Sequence, residues 1–404
     1  MKLPILSKEK RKESINNEPL LALDVGTAFV KACVFRIRDN KVHILGYGRC
    51  RQQTDAMKGA MIINLQNVIE NCDLAVGDAV KDLKEELPRK VIMGIAGELV
   101  KGVAIMAHYD REESDEKIDE EEIEEVFDRV RLRAFSNVKS EIAEDTGLLE
   151  EQIEEISSVV NDTYIDGFRV TNPLGFQGKS VNFRVFSTFA PSIHTNSLKS
   201  IAQALGFEIL SIIVEPYAIT RAYEGAAKDD FSAVFIDVGG GTTDVAVVNK
   251  GGILGTKMLA FGGKLFTKRL QKEFGFEYPQ AEELKLDYSE REVPEEKKTR
   301  IKNLFTEDAK IWVDGIELAL KEFEDLEMCP SKFLLCGGGT LLPEIKSTLV
   351  EHPWLQVLRF RKFPEVEFIH PSKLKSIIDE QKLLVDVSDV APAALAYMAL
   401  ELRP

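Results

Sequence analysis

Cysteine and histidine are scarce in this chain of 404 residues, and neither forms a recognisable pattern. The five cysteines are odd in number and widely spaced: Cys33, Cys50, Cys72, Cys329 and Cys336. Without a Cys-x-x-Cys pair or a Cys/His cluster, neither a disulfide framework nor a zinc site is supported. These absences favour a protein of the reducing cytoplasm. They do not exclude a Mg²⁺ site in which carboxylates and phosphate hold the ion.

Long apolar runs and basic charge are also lacking. No apolar run approaches the roughly 20 residues that span a bilayer, and the polar, basic start of the chain is not a secretory signal. With 52 basic and 67 acidic residues the formal net charge is −15, which argues against nucleic-acid binding. A hydrophobic content of 44% nevertheless supports a large core, and the length predicts two to four folding units.

Short apolar strands alternate with amphipathic segments along the chain, which predicts an α/β protein. Helices are predicted at Asn67–Leu87, from a capping box at Asp119 through Ala134, at Ala218–Ala227 and at Pro392–Leu402. The run Asp110–Glu125 contains 11 acidic residues. It is either an acidic surface for a partner or the solvated face of an amphipathic helix.

Two distant segments share one pattern. Leu21–Phe35 (LALDVGTAFVKACVF) and Val234–Val248 (VFIDVGGGTTDVAVV) each read as strand, Asp-Val-Gly, small or hydroxyl residues, and strand. Glycine and threonine let backbone N–H groups approach a phosphate, and an aspartate at a strand end can hold Mg²⁺ through water. Because Asp24 and Asp237 are 213 residues apart, the pattern predicts two similar domains that clamp one polyphosphate rather than a solenoid.

A third segment, Phe333–Ile345 (FLLCGGGTLLPEI), completes a resemblance. In order and spacing the three segments resemble the phosphate-1, phosphate-2 and adenosine motifs of the actin, sugar-kinase and heat-shock-chaperone ATPase superfamily. The resemblance covers about residues 19–402. It implies two similar domains around a nucleotide cleft, with ATP and Mg²⁺ as cofactors and with Asp24 and Asp237 as the metal-holding residues.

The same resemblance implies further contacts with the nucleotide. The residues implied to face the phosphates are Gly26, Thr27, Ala28 and Lys31 on one side and Gly239, Gly240, Gly241, Thr242 and Thr243 on the other. Gly338 and Gly339 are implied to lie against the adenosine.

Two helices carry the remaining candidate residues. Ile213–Ala222 (IVEPYAITRA) resembles the first connecting helix, where a Glu before Pro polarises the attacking water in the chaperone and bacterial-actin branches. Glu215 matches that position and, with Asp244, is a candidate catalytic residue; alternatively Glu215 is only an acid favoured by the helix macrodipole. The sequence AEELK resembles a helix that contacts ribose and adenine through Glu282 and Lys285, although a surface ion pair at this spacing is an alternative.

The segment Lys101–Arg184 points to one branch of the superfamily, because it resembles the inserted subdomain of FtsA, the actin homologue of bacterial cell division. The stretch AFGGKLFTKRLQKEFG after the second phosphate motif is also FtsA-like. The resemblance implies an ATP-binding scaffold with at most a slow Mg-dependent ATPase, which self-associates into filaments and binds division-ring proteins, for example through an FtsZ-like tail peptide. A PilM-like pilus assembly protein and a kinase of the same superfamily are the alternatives.

The chain also departs from the FtsA pattern. FtsA usually ends in a linker and a basic amphipathic helix, which we do not recognise here, so we expect no C-terminal membrane anchor. The N-terminal tail, with Lys2, Lys8, Lys10, Arg11 and Lys12, is either a peripheral contact with the inner face of the cell membrane or a solvated leader. The expected organisation is a tail (1–18), domain I (19–100 and 185–225) with an insert (101–184), domain II (226–390) and a C-terminal helix returning to domain I (391–404).

Overall fold

The computed structural model describes residues 18–402 apart from 85, 98, 171, 228–229, 292 and 324–325. The basic residues of the N-terminal tail lie outside this described part. The expected α/β class is confirmed, since the larger strands form two sheets with helices packed on them. Among the described residues, no helix combines the length and the apolar character that crossing a membrane requires.

The strands are β1 (Leu20–Val25), β2 (Phe29–Arg38), β3 (Lys41–Arg51), β4 (Met57–Lys58), β5 (Met61–Ile62), β6 (Lys90–Ile95), β7 (Lys101–Asp110), β8 (Ile153–Ile165), β9 (Phe168–Val170), β10 (Ser180–Pro191), β11 (Glu208–Val214), β12 (Ala233–Val238), β13 (Thr243–Asn249), β14 (Gly252–Leu259), β15 (Lys332–Cys336), β16 (Glu365–Phe368) and β17 (Ile377–Ile378). The helices are α1 (Leu65–Val80), α2 (Glu120–Thr146), α3 (Ser192–Ala204), α4 (Glu215–Ala222), α5 (Gly263–Phe274), α6 (Tyr278–Glu290), α7 (Glu295–Lys321), α8 (Pro343–Glu351), α9 (Trp354–Val357) and α10 (Val390–Glu401).

The first sheet has the strand order β11-β6-β1-β2-β3-β17. Strand β1 pairs in parallel with β6 and antiparallel with β2, and all six of its residues are buried. An uninterrupted apolar strand of this kind is stable only where both sheet faces are covered. Helices α1 and α10 provide that cover, and nearly every residue of α10 is buried. The sheet therefore holds the end of β1, with Asp24, rigidly.

The second sheet has nine strands in the order β16-β15-β12-β13-β14-β7-β10-β8-β9. Its core is rich in aromatic side chains, among them Phe266, Phe305 and Trp312. Strands of the segment predicted as an insert extend this sheet, because Thr256 of β14 pairs with Gly102 of β7. The predicted boundary after Arg184 falls inside β10, so the backbone shows no break at that point.

Three predicted helices have wrong boundaries. The helix predicted to reach Leu87 ends at Val80, and the helix predicted to stop at Ala134 continues to Thr146, where Gly147 adopts a left-handed φ of 69°. The helix predicted at 218–227 spans Glu215–Ala222, because proline is tolerated in the first turn of a helix, where its missing N–H needs no partner. The Asp119 cap is confirmed: its side chain accepts a hydrogen bond from the Glu122 N–H at 2.8 Å.

The part of the acidic run that lies on α2 is amphipathic. On α2, Glu120, Glu121 and Glu124 are exposed, whereas Ile123 and Val126 are buried against the insert's strands. Arg111 donates to both carboxylate oxygens of Glu122, at 2.6 and 2.8 Å. The solvated-face interpretation therefore accounts for this segment without a partner.

The contact between β3 and α1 generates a stability prediction. A Cβ atom added at Gly48 would lie 2.2 Å from the Ala75 carbonyl oxygen and 2.5 Å from the Ala79 nitrogen. We therefore expect Gly48→Ala to force the helix off the sheet and to lower the free energy of unfolding by about 1–3 kcal/mol. Urea denaturation measures the change.

Gly77 provides the matched control, because it lies on the exposed side of the same helix and an added Cβ meets nothing within 4 Å. Gly77→Ala should stabilise the protein by about 0.5–1 kcal/mol, the usual helix preference for alanine over glycine. Equal unfolding free energies for the two variants would contradict the packing described here.

Candidate functional site

The first phosphate motif is a tight hairpin between β1 and β2. Asp24 and Lys31 are directly opposite each other in its register, and Lys31 Nζ lies 3.1 Å from Asp24 Oδ2. A Cβ atom at Gly26 would be 2.8 Å from the Phe29 carbonyl oxygen, so the turn requires glycine. Burial by itself lowers the pKa of Lys31, but Asp24 and Asp237 outweigh it and the pKa is raised. This lysine is therefore a firmly held positive charge.

The second phosphate motif is the equivalent hairpin between β12 and β13, where Asp237 and Asp244 are register partners. Its loop is held by the start of α5, because the Gly263 and Lys264 N–H groups donate to the carbonyl oxygens of Gly239 and Gly240 at 2.9 and 2.7 Å. The same loop meets the first motif across the cleft. A Cβ atom at Gly240 would lie 2.5 Å from the Ala28 Cβ, so the two loops approach as closely as their backbones allow.

The third motif follows β15, which pairs in parallel with β12 and places Cys336 beside Asp237. Gly337 has a φ of +86°, and a Cβ atom there would lie 2.1 Å from Asp237 Oδ1. Gly338 and Gly339 then form one turn of 3₁₀ helix with Thr340 and Leu341. The glycines thus serve two purposes: they bring the adenosine loop against the second hairpin, and they leave the Asp237 carboxylate unobstructed.

Glu215 enters the same space from α4, where it is the first helical residue after β11. A Cβ atom at Gly94 would lie only 2.3 Å from Glu215 Oε1, so the glycine of β6 makes room for this carboxylate. Burial raises the pKa of Glu215 well above its ordinary value, and the nearby Asp24, Asp237 and Asp244 raise it further. The position fits a buried functional group as well as a helix N-terminal acid.

The other carboxylates of the site share this electrostatic character. Burial raises the pKa of Asp237 to about 6, with Asp24 adding to the shift and Lys31 opposing it. Burial and the adjacent Asp237 raise the pKa of Asp244 to about 8. Carboxylates crowded in this way retain protons because like charges repel in a poorly solvated space.

On the other side of the cleft, α6 carries Glu282 and Lys285. Both are buried, and the Lys285 Nζ lies 2.7 Å from Glu282 Oε2 and 3.2 Å from the Gly263 carbonyl oxygen. Burial alone would raise the pKa of Glu282, but Lys285 and the Thr267 hydroxyl lower it overall. The predicted ion pair at this spacing is present, but it does not lie on the surface, since the two side chains are buried under the start of α5.

These elements enclose one cavity of about 310 Å³ between the two sheets. The predicted residues that line it are Asp24, Gly26, Thr27, Ala28, Lys31, Glu215, Asp237, Gly239, Gly240, Thr242, Asp244, Glu282, Lys285, Gly338 and Gly339. Gly241 and Thr243 are not among the lining residues identified in the described part of the chain. The Thr243 hydroxyl is occupied elsewhere, because it donates to the Phe261 carbonyl oxygen at 2.7 Å and accepts from Trp312 Nε1 at 3.0 Å.

A larger groove of about 650 Å³ lies next to the adenosine loop and is lined by apolar residues together with Lys346, Ser347 and His370. It contains Phe368 and Val350 and none of the four clustered carboxylates. We therefore place the functional site in the smaller, polar cavity.

Several lining residues escaped sequence reasoning. Arg49, His194 and Ser388 come from β3, α3 and the turn before α10, respectively. None of them belongs to a local motif, and only folding brings them to the cavity. The sequence gives a weak indication for Gly94, because a glycine inside an otherwise apolar strand often marks the close approach of another group.

The donor set fits a hydrated Mg²⁺ ion. Asp24, Asp237, Asp244 and Glu215 contribute four carboxyl groups to the cavity, beside the ammonium of Lys31. Carboxylate oxygens are the ligands that Mg²⁺ prefers, and a divalent cation would offset the surplus negative charge of this cluster. The glycines of the two hairpins leave space for a phosphate chain beside it.

The raised pKa of Asp244 predicts how stability depends on pH. A buried carboxyl with a raised pKa stabilises the folded state at pH values below its ordinary pKa, and that contribution is lost as the pH rises through about 8. We expect Asp244→Asn, which stays neutral, to be more stable than the wild type at about pH 9 by about 1–3 kcal/mol without Mg²⁺ or nucleotide. At about pH 4, close to the ordinary pKa of an aspartate, most of the difference should be gone.

Chemical denaturation at the two pH values measures this effect. Asp73→Asn, at an exposed position of α1, is the control and should change stability little at either pH. If the stability advantage of Asp244→Asn over the wild type does not grow with pH, position 244 does not hold an unfavourable buried carboxylate.

Known proteins resemble this chain in sequence. A sequence model of the family described as "Cell division protein FtsA" matches residues 234–375. The chain is 27% identical over 272 residues to the cell division protein FtsA of Neisseria meningitidis serogroup B, covering 66% of this chain and 60% of that protein. With FtsA of Bacillus subtilis (strain 168) it is 23% identical over 358 residues, covering 82% and 76%, respectively. The match with the N. meningitidis protein thus spans about three fifths of that relative's length.

Solved structures resemble the whole chain. A "PilM-PilN type IV pilus biogenesis complex" chain has a TM-score of 0.66 at 16% identity, covering 95% of this chain and 99% of that one. The ethanolamine utilization protein EutJ from Carboxydothermus hydrogenoformans has a TM-score of 0.52 at 13% identity, covering 96% and 93%, respectively. This protein therefore has the actin-like ATPase fold, and its sequence is similar to that of the FtsA cell division proteins.

Proposed function

We propose that this protein binds Mg-ATP in the cleft and acts as an FtsA-like scaffold of bacterial cell division. One observation carries the nucleotide proposal: two hairpins from different sheets place Asp24 and Asp237 at a single cavity, with glycine loops on both sides. The sequence similarity to FtsA proteins supports the division role.

The phosphates would lie between the two hairpins. Lys31, held against Asp24, would attract the β- and γ-phosphates. The backbone N–H groups of the cavity-lining residues Thr27, Ala28, Gly240 and Thr242 would donate to them. Asp24 and Asp237 would hold the hydrated Mg²⁺. When bound, Mg²⁺ would neutralise phosphate charge and polarise the terminal phosphoryl group.

Glu215 and Asp244 would act on the terminal phosphate. Burial and the neighbouring carboxylates raise the pKa of Glu215, and a cation beside it would favour the ionised form, which can orient water for attack. Asp244, across the hairpin from Asp237, would accept hydrogen bonds from the same water shell. An ATPase built on these groups would be slow at most, as a scaffold requires long-lived nucleotide states.

The nucleoside would lie against α6 and the third glycine loop. Glu282 and Lys285 would bind the ribose and the adenine edge, and Gly338 and Gly339 would pack against the adenosine. Because Lys285 already neutralises Glu282, this end of the cavity suits an uncharged nucleoside, whereas the Lys31 end suits phosphate.

Ligand-dependent stability tests nucleotide binding. We expect millimolar Mg-ATP to raise the melting temperature, since a ligand that binds only the folded state stabilises it by RT ln(1 + [L]/Kd). Asp237→Ala should remove most of this rise, because it deletes a metal-holding carboxylate. Asp314→Asn, on the exposed face of α7, should keep it in full. An unchanged melting temperature of the wild type with Mg-ATP would refute the proposal.

We further propose that the protein self-associates into filaments and works at the inner face of the cell membrane, linking the division ring to other proteins. The basic N-terminal tail would supply the peripheral membrane contact through its lysines and Arg11. The alternative is a PilM-like role in pilus assembly, which the fold similarity over 95% of the chain favours.

Partner binding separates the two roles. For a division protein we expect saturable binding of an FtsZ tail peptide in the presence of Mg-ATP, and no binding of PilN, the protein named in the PilM complex. Fluorescence anisotropy with a scrambled peptide as control measures the first interaction. Binding of PilN without binding of the FtsZ peptide would reject the division role and support the pilus role.

A further inference from the structure

An ion pair joins the two halves of the molecule at the edge of the cavity. Arg51 is the last residue of β3 in the first sheet, and Glu282 lies on α6, which packs with the second sheet's core. The Arg51 Nη2 atom lies 2.9 Å from Glu282 Oε1. The Arg51 side chain is 52% exposed, whereas that of Glu282 is 11% exposed.

Glu282 is a fixed anchor for this contact. Its Oε2 atom accepts hydrogen bonds from Lys285 Nζ at 2.7 Å and from the Thr267 hydroxyl. Lys285 is itself tied to the Gly263 carbonyl oxygen at 3.2 Å. One carboxylate oxygen is therefore committed to the second half, and the other is directed to Arg51 in the first half.

Two contacts join the halves of the molecule at the cavity. One is between the hairpin loops, where Thr27 and Ala28 approach Gly240 and Gly241, whose added Cβ atoms would lie 2.5–3.3 Å from them. The other is the ion pair, because Glu282 lines the cavity while it holds Arg51. Glu282 therefore belongs both to the cavity and to a contact between the halves.

We propose that the Arg51–Glu282 ion pair is a latch across the cleft that limits the rate at which nucleotide enters and leaves. The latch rests on the proposed nucleotide function, but it goes beyond it by assigning Arg51 a role in exchange rather than in affinity. Because the closed pair hinders entry and release alike, its loss accelerates both steps.

Stopped-flow measurements with a fluorescent ATP analogue and Mg²⁺ test the latch in Arg51→Met. Methionine keeps the apolar stem of the side chain but removes the charge. We expect the association and dissociation rate constants each to rise about two- to fivefold, the range for losing a partly exposed ion pair, with a smaller change in Kd. Added salt should accelerate exchange in the wild type more than in the variant, because salt screens the pair.

Arg300→Met is the matched control. Arg300 donates to Glu273 at 2.8 Å and lies 5.0 Å from the Phe274 ring, but all three residues are in the second half of the molecule. Its removal should leave both rate constants unchanged. Unchanged rates in Arg51→Met would overturn the latch. Slower association with faster dissociation would also overturn it, because that pattern means that Arg51 attracts the phosphates.

A measurement without nucleotide separates failure of the latch from failure of the proposed function. A double-mutant cycle of Arg51→Met and Glu282→Gln, read by urea unfolding of the full chain, should show a stabilising coupling between the two positions. Zero coupling overturns the latch. If the coupling is present and the wild type binds no nucleotide, the proposed function fails while the bridge between the halves stands.

Discussion

The crowding of four carboxyl groups around one lysine is the constraint on which the site depends. Asp24, Asp237, Asp244 and Glu215 crowd around Lys31 in a poorly solvated cavity, and burial together with mutual repulsion raises the pKa values of Asp237, Asp244 and Glu215. This crowding costs stability, because a poorly solvated carboxylate is less favourable than one in water. A bound cation and polyphosphate would offset that cost, so these charges favour the proposed ligand binding rather than stability.

The two hairpins create the crowding through their registers. In β1–β2 an aspartate faces Lys31, whereas in β12–β13 Asp237 faces Asp244. The first hairpin is therefore locally neutral and the second is locally acidic. Like charges directly opposite each other destabilise a strand pair, so nothing in the hairpin itself favours this choice. The pairing of Asp237 with Asp244 becomes useful only in the tertiary structure, where the two sheets face each other across the cavity.

Glycine permits the approach of these elements. Gly94 leaves room for the Glu215 carboxylate, Gly337 leaves room for Asp237, and Gly240 allows the two hairpin loops to meet. Each of these positions would place a Cβ atom within 2.5 Å of another group, which a folded protein does not accept. The same close fit explains why Arg51 can reach Glu282 from the opposite half. Both sheets therefore form the cavity, through the close approach of their backbones more than through any single side-chain contact.

The sequence by itself determined the fold class, the two hairpins and the clustered acidic residues of the cavity, because apolar strands and the Asp-Val-Gly turns are local signals. It left helix ends uncertain, as with α2, where tertiary packing extends the helix to Thr146. Only the tertiary structure decided that Glu282 and Lys285 are buried, that Thr243 serves the core, and that Arg51 and His194 join the site. The reason is physical: burial, raised pKa values and cross-cleft contacts arise between residues far apart in the chain, where no local pattern records them.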